Sequence, residues 1–191
     1  MFRIEPLALE GIYEITPPRH RDERGFFSET YVGSRMLEHG LPDLWVQDNQ
    51  SYSVHKHVLR GLHYQCPPMA QDKLVRVTKG SIFDVAVDIR QGSANYGKWI
   101  SLVVSAEKWN QIFVPKGFAH GFLTLEPHCE VLYKVTAPYS PQYDRAIRWN
   151  DPDIDVDWSL AGLTPILAAK DSAASMLKDQ ETGFNVLEMP L

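Results

Sequence analysis

The sequence predicts an all-β fold: an antiparallel sandwich, a jelly roll or a closed barrel. Three observations carry that expectation. Short β-branched or alternating segments recur through the middle of the 191 residues, Gly and Pro punctuate them from end to end, and helical periodicity is scarce. Short strands broken by turn signals suit double-sheet and barrel architectures, in which each strand buries one face and soon turns back to pair.

Residues 1 to about 50 alternate weakly and contain several turns. They read as strands added to the edge of the main fold, not as a separate domain. Ser34 to His39 suits a couple of helical turns. Leu74-Val75-Arg76-Val77-Thr78 is short and β-branched. After Lys79-Gly80, Ser81 to Ile89 alternates: Phe83, Val85, Val87 and Ile89 share one face, and Asp84, Ala86 and Asp88 share the other. If the interior is wet, that acidic face lines a pocket. Trp99 to Val104, Gln111 to Val114, Gly121 to Leu125 and Glu130 to Val135 are further strands, with Val131, Tyr133 and Val135 pointing the same way. From about residue 150 the chain reads as loop plus short helix, with Ser172 to Lys178 able to make two turns.

Composition narrows the function classes. Hydrophobic residues at 44% and charged residues at 23% supply a core and argue against disorder. With 19 Lys+Arg against 24 Asp+Glu, the net charge of −5 lacks the basic footprint of a nucleic-acid scaffold, though a local basic pocket remains compatible. No apolar run approaches the roughly 18 residues a membrane span needs. The opening Met1-Phe2-Arg3-Ile4-Glu5-Pro6 lacks the apolar core of a secretory signal. Cys66 and Cys129 form no CxxC pair, so zinc–thiolate sites and a disulfide framework are poor readings. The expectation is a cytoplasmic protein with reduced thiols, no membrane partner and no nucleic-acid partner.

Two segments carry the chemistry. In Leu59-Arg60-Gly61-Leu62-His63-Tyr64-Gln65, strict alternation puts Arg60 and His63 on opposite faces, unless Gly61 sits in a bulge that turns both toward one cavity. The plainer alternative is a surface Arg and a core His bonded to backbone. In Pro115-Lys116-Gly117-Phe118-Ala119-His120, a tight turn delivers a His to the start of the next strand. This is the second sequence motif of the cupin barrels, complete. The first cupin motif carries two His; here only His63 is present, with Gln65 at the second place. Two His without a matching carboxylate fall short of the three or four ligands a metal needs, so the expectation is a site without metal, and a metal-dependent cupin is the minority reading.

Other residues have two readings each. Lys73 is a solvated strand-end cation or a stabiliser of a developing oxyanion. Tyr133 packs in the core or acts as a general acid. Asp171 caps a helix or orients His63.

Taken together these segments resemble the dTDP-4-dehydrorhamnose 3,5-epimerase family of the cupin superfamily. The similarity runs in one register from about residue 1 to 180. It includes Asp22-Glu23-Arg24-Gly25-Phe26-Phe27-Ser28-Glu29, Gln47-Asp48-Asn49-Gln50-Ser51, the Arg60–His63 run, Lys73-Leu74-Val75-Arg76-Val77 and Asp84 to Arg90. It continues with the His120 turn, Tyr133-Lys134-Val135-Thr136 and Ile147 to Pro152.

The resemblance implies a cupin-type jelly-roll barrel with extra N-terminal strands and short C-terminal helices, one domain over residues 1–191. It implies epimerisation of a thymidine-diphosphate 4-keto-sugar at the carbons beside the ketone, on the dTDP-rhamnose route, with no cofactor. By the same resemblance His63 is the base, Asp171 its carboxylate partner, Lys73 the enolate stabiliser and Tyr133 the acid on the opposite face. Asp84 and His120 line the pocket, Arg24 and Arg60 bind the diphosphate, and Phe27, Glu29, Gln47 and Asn49 surround the nucleoside. Tyr139 stacks on the base, and Asp144 and Lys170 contact substrate. A homodimer with exchanged N-terminal strands is implied too. This chain departs from the family's usual pattern in His57 for Gly, Asp144 for Glu and Ala168 for Ser.

Overall fold

The computed structural model describes residues 2–186; Met1 and residues 187–191 of the expected domain lie outside them. The strands are β1 (Arg3–Pro6), β2 (Tyr13–Thr16), β3 (His20–Asp22), β4 (Gly25–Phe27), β5 (Gln47–Ser53), β6 (Leu59–Gln65) and β7 (Lys73–Lys79). They continue as β8 (Ser81–Asp88), β9 (Trp99–Ser105), β10 (Gln111–Val114), β11 (Phe118–Thr124), β12 (Cys129–Val135) and β13 (Asp144–Ala146). Helices are short: α1 (Gly33–Leu37), α2 (Ala169–Ser172) and a 3-10 turn at Leu177–Asp179.

One sheet has six strands in the order β1-β2-β10-β7-β12-β5, a second has five in the order β13-β6-β11-β8-β9, and β3 pairs only with β4. The pairing is nested. β8 pairs with β9, β7 with β10, β6 with β11 and β5 with β12, all antiparallel. This is one long hairpin folded over so that successive pairs fall in alternate sheets, which is the jelly roll. The sheets face each other without being hydrogen-bonded into a closed barrel. β1 and β2 extend the six-stranded sheet beyond β10, so this part of the N-terminal stretch lies at an edge as expected.

Burial explains why β8 reads so clearly. Its Val85 and Val87 join Ile147, Ile154, Trp158, Leu177 and Phe184 of the C-terminal segment, which covers the outer face of the five-stranded sheet. Its Ile82 and Ala86 instead meet Val75, Val77, Ile112 and Val131 between the two sheets. Each large side chain so buried contributes about 1.5–3 kcal/mol. Asp84, on the inward face, is fully buried. Asp88 is bound by Arg90 and Ser93 at the strand end and does not line the cavity that holds His63.

Two expectations need correction. No helix runs from Ser172 to Lys178. α2 ends at Ser172, and Ser175 bridges to Ile147 and accepts from the Arg148 N–H. The Leu177 N–H goes to the Asp151 carboxylate. These backbone groups are taken by tertiary partners, so no continuous helical ladder forms. β11 begins at Phe118, three residues before the expected Gly121, so His120 lies inside the strand. Among the described residues no helix is long and apolar enough to cross a membrane.

Candidate active site

A cavity of about 300 Å³ opens between the sheets. His63, Arg60 and His120 line it from the five-stranded sheet; Tyr133, Lys73 and Ser51 line it from the six-stranded sheet. Asp171 and Lys170 reach it from α2, and Tyr139 and Asp144 from beyond β12.

Arg60 and His63 share the cavity because β6 is bulged. His120 of β11 stands opposite His63, but Phe122 stands opposite Arg60, so Gly61 and Leu62 of β6 face the single residue Gly121 of β11. Gly61 takes up the extra residue at φ +138°, in the region open mainly to glycine. A Cβ at Gly61 would lie 2.5 Å from the Gly121 Cα. Both strands therefore need glycine at this crossing.

Two histidine–carboxylate pairs result. His63 Nε2 lies 2.6 Å from Asp171 Oδ1, and the carboxylate is buried while the ring is partly open. With Asp171 accepting from Nε2–H, the ring's lone pair sits on Nδ1. Asp171 is thus a partner of His63 and not a helix cap; the cap position is Ala168. His120 Nε2 lies 3.0 and 2.9 Å from the two oxygens of Asp84. Burial raises the Asp84 carboxyl above its ordinary pKa, while His120 and Lys73 pull it back.

Lys73 is buried at the start of β7, and its Nζ donates to the His63 carbonyl at 3.2 Å. It is therefore no solvated strand-end cation. Burial lowers its pKa to about 8, against the opposing pull of Asp144 and Asp84. Burial also raises the Tyr133 phenol, with Arg60 opposing, so the phenol keeps its proton at neutral pH.

The mouth is polar. The Tyr139 hydroxyl donates to Asp144 Oδ2 at 3.2 Å, and Lys170 forms an ion pair with the same oxygen. Asp144 raises the Tyr139 phenol. Arg60 donates from Nε to Ser53 Oγ and from Nη2 to the Tyr52 carbonyl, each at 3.3 Å. Gln47 and Asn49 are on β5 and bonded to each other at 2.7 Å.

Six expected site residues are not in the lining of this cavity: Gln47 and Asn49 on β5, Asp84, which is fully buried and bonded to His120, and Arg24, Phe27 and Glu29. Arg24 is held by Asp22 at 2.6 Å with its side chain 85% exposed. Phe27 is 67% exposed, and Glu29 faces Arg35 at 3.8 Å. The β3–β4 arm carrying Arg24 and Phe27 is fastened at its base: Phe26 stands edge-on to Trp109 with centroids 4.7 Å apart, and Trp109 Nε1 donates to Ser28 Oγ. Conversely, Ser51, Gln71 and Phe122 line the cavity without having been expected there. Period-two spacing from Asn49 and from His120 points to Ser51 and Phe122; no sequence signal points to Gln71.

Among the described residues no three His, Cys, Asp or Glu gather to hold a metal ion. The second cupin ligand position is Gln65, an amide bound to neighbouring backbone.

Fold and cavity together define a jelly roll of the cupin type whose cavity gathers imidazole, ammonium and phenol groups able to move protons. The model of the dTDP-4-dehydrorhamnose 3,5-epimerase family matches residues 6–179, and the chain belongs to this family. A dTDP-4-dehydrorhamnose 3,5-epimerase of Sinorhizobium fredii is 42% identical over 186 residues, 97% of this chain and 94% of the relative. A crystal structure of the Legionella pneumophila epimerase in complex with dTDP-4-keto-L-rhamnose superposes with a TM-score of 0.88 at 43% identity, covering 93% of this chain and 94% of that one. A 3′-monoepimerase of Streptomyces bikiniensis in complex with dTDP-quinovose superposes with a TM-score of 0.84 at 30% identity, covering 91% and 87%.

Proposed function

We propose that this chain converts dTDP-4-dehydro-6-deoxy-D-glucose to dTDP-4-dehydro-L-rhamnose by inverting C3 and C5. The observation that carries the reading is the placement of His63 and Tyr133 on strands of facing sheets, both lining one cavity. Inversion needs a base and an acid on opposite faces of the ring, since a single group returning its own proton restores the starting centre.

In this reading His63 takes the proton beside the ketone, aided by Asp171. The C–H electron pair moves onto the C4 oxygen, where the Lys73 ammonium stabilises the enolate. Tyr133 donates its phenolic proton to the other face, at least at C5, and regains one from water. The step is redox-neutral, and the substrate's own carbonyl accepts the electron pair. His120, held by Asp84, binds the sugar, Arg60 binds the diphosphate, Tyr139 stacks on the base, and Gln47, Asn49, Asp144 and Lys170 complete the contacts.

Arg24, Phe27 and Glu29 enter through a homodimer in which each arm completes its neighbour's pocket; their exposure on an arm outside the cavity supports this. A cytoplasmic location accords with the two free cysteines.

The test is turnover of dTDP-4-dehydro-6-deoxy-D-glucose in heavy water. Solvent label at both C3 and C5 of the product is expected, and no label at either carbon overturns the reading. The likeness to a 3′-monoepimerase gives a second reading, in which label enters at one carbon only.

A further inference from the structure

We infer that Gln65, at the place of the second cupin metal ligand, is a positioning residue that holds Tyr139 over the cavity mouth. The inference rests on the proposed role of Tyr139 as the platform for the base. Gln65 is 3% exposed and spends its whole amide on backbone. Its Nε2 donates to the Met69 carbonyl at 2.6 Å and the Pro138 carbonyl at 3.2 Å, and its Oε1 accepts from the Ser140 N–H at 2.7 Å. It therefore grips the chain on both sides of Tyr139.

Two further glutamines complete the grip. Gln71 Nε2 donates to the Ala137 carbonyl at 2.8 Å, and Gln47 Oε1 accepts from the Tyr139 N–H at 2.9 Å. Ala137 to Ser140 thus has four backbone groups bound by three side chains reaching from β5, from β6 and from the segment before β7. The segment lies outside the named strands, Pro138 denies it one N–H donor, and Pro141 follows directly after it. A loop without ladder bonds keeps one conformation only if other groups satisfy it.

Tyr139 itself is 55% exposed, its hydroxyl is bonded to Asp144, and among the described residues its ring has no aromatic partner. An exposed ring on a clasped backbone is pre-organised for stacking, because the ordering cost is met before ligand arrives. At this position a His would serve a metal; the amide instead supplies two donors and an acceptor, which suits a chain clasp.

The experiment is a double-mutant cycle on dTDP affinity, measured by calorimetry, with kcat and KM measured alongside. Tyr139→Ala weakens dTDP about tenfold, the scale of one base–aromatic stack. Gln65→Leu weakens it at least about threefold and raises KM with kcat nearly unchanged, and adds less than about twofold once Tyr139 is Ala. If Gln65→Leu costs as much in the Tyr139→Ala background as in the wild type, Gln65 does not act through Tyr139 and the inference fails. If Tyr139→Ala leaves dTDP affinity unchanged, the platform reading itself is wrong. Should Gln65→Leu fail to fold, Gln65→Asn, which keeps the amide but shortens its reach to Pro138 and Ser140, takes its place in the same cycle.

Discussion

His63 and Asp171 stand 108 residues apart in the chain and 2.6 Å apart in space. The contact holds the imidazole through Nε2, and the ring lines the cavity. His63→Ala is expected to cut solvent exchange at both carbons by about 1000-fold. Asp171→Asn keeps the shape but loses the charge, and kcat is expected to fall about 100-fold with little change in melting temperature. Near-normal turnover in His63→Ala would remove His63 as the base.

Tyr133 is separable from His63 because it acts after the proton has left. Tyr133→Phe is expected to slow inversion at C5 about 100-fold while solvent deuterium still enters the recovered substrate. Mass spectrometry and proton NMR of that substrate read both quantities. Normal inversion in Tyr133→Phe would move the acid elsewhere.

Lys73 makes a prediction about pH. Burial places its folded pKa near 8, below its ordinary 10.5. The ammonium is needed for the enolate, so kcat/KM falls as pH rises through about 8, and Lys73→Arg shifts that limb upward. The stability effect has the opposite sense. Between about 8 and 10.5 the unfolded chain holds this proton and the folded chain does not, so the cost of burying the charge is full below 8 and is relieved as pH rises. Lys73→Met is therefore expected to melt higher than the wild type at pH 7 while losing turnover. An unchanged or lower melting temperature would contradict the burial cost.

Gly61 tests the bulge. Gly61→Ala places a methyl against Gly121 at a backbone angle few side chains adopt. The expected loss is about 3 kcal/mol, or about 8 °C in melting temperature. A melt within a degree of wild type would show that the β6–β11 crossing relaxes freely.

Exchange of the arms can be read by complementation. Arg24→Ala and His63→Ala chains, each impaired alone, are mixed after unfolding and refolded together. If arms are exchanged, a mixed dimer has one pocket with both residues intact, and activity returns to about a quarter of wild type. Without exchange, mixing restores nothing.

The strands around the site were legible because each covers a whole hydrophobic period. The Gln111–Val114 strand was expected at the bounds observed, and β8 and β9 within a residue at one end. The Gly61 bulge could be posed as one of two alternatives, since glycine between two chemically active residues allows it. The residues after Ser172 were misread because their backbone partners lie on Ile147, Arg148 and Asp151. No local pattern announces such partners.

Local propensity and side-chain chemistry, both present in the residues themselves, determined the all-β class and the strand punctuation and marked His63, Lys73, Tyr133 and His120 as candidates, whose roles came from the family resemblance. Tertiary structure decided between cap and partner for Asp171, which meets His63, bound the Gln65 amide to backbone at Met69, Pro138 and Ser140, and left Arg24 paired with Asp22 outside the cavity's lining. The physical reason is the nested pairing of the jelly roll, which returns distant segments to one cavity. A hydrogen bond between such segments depends on the return of the whole chain and not on the sequence around either end.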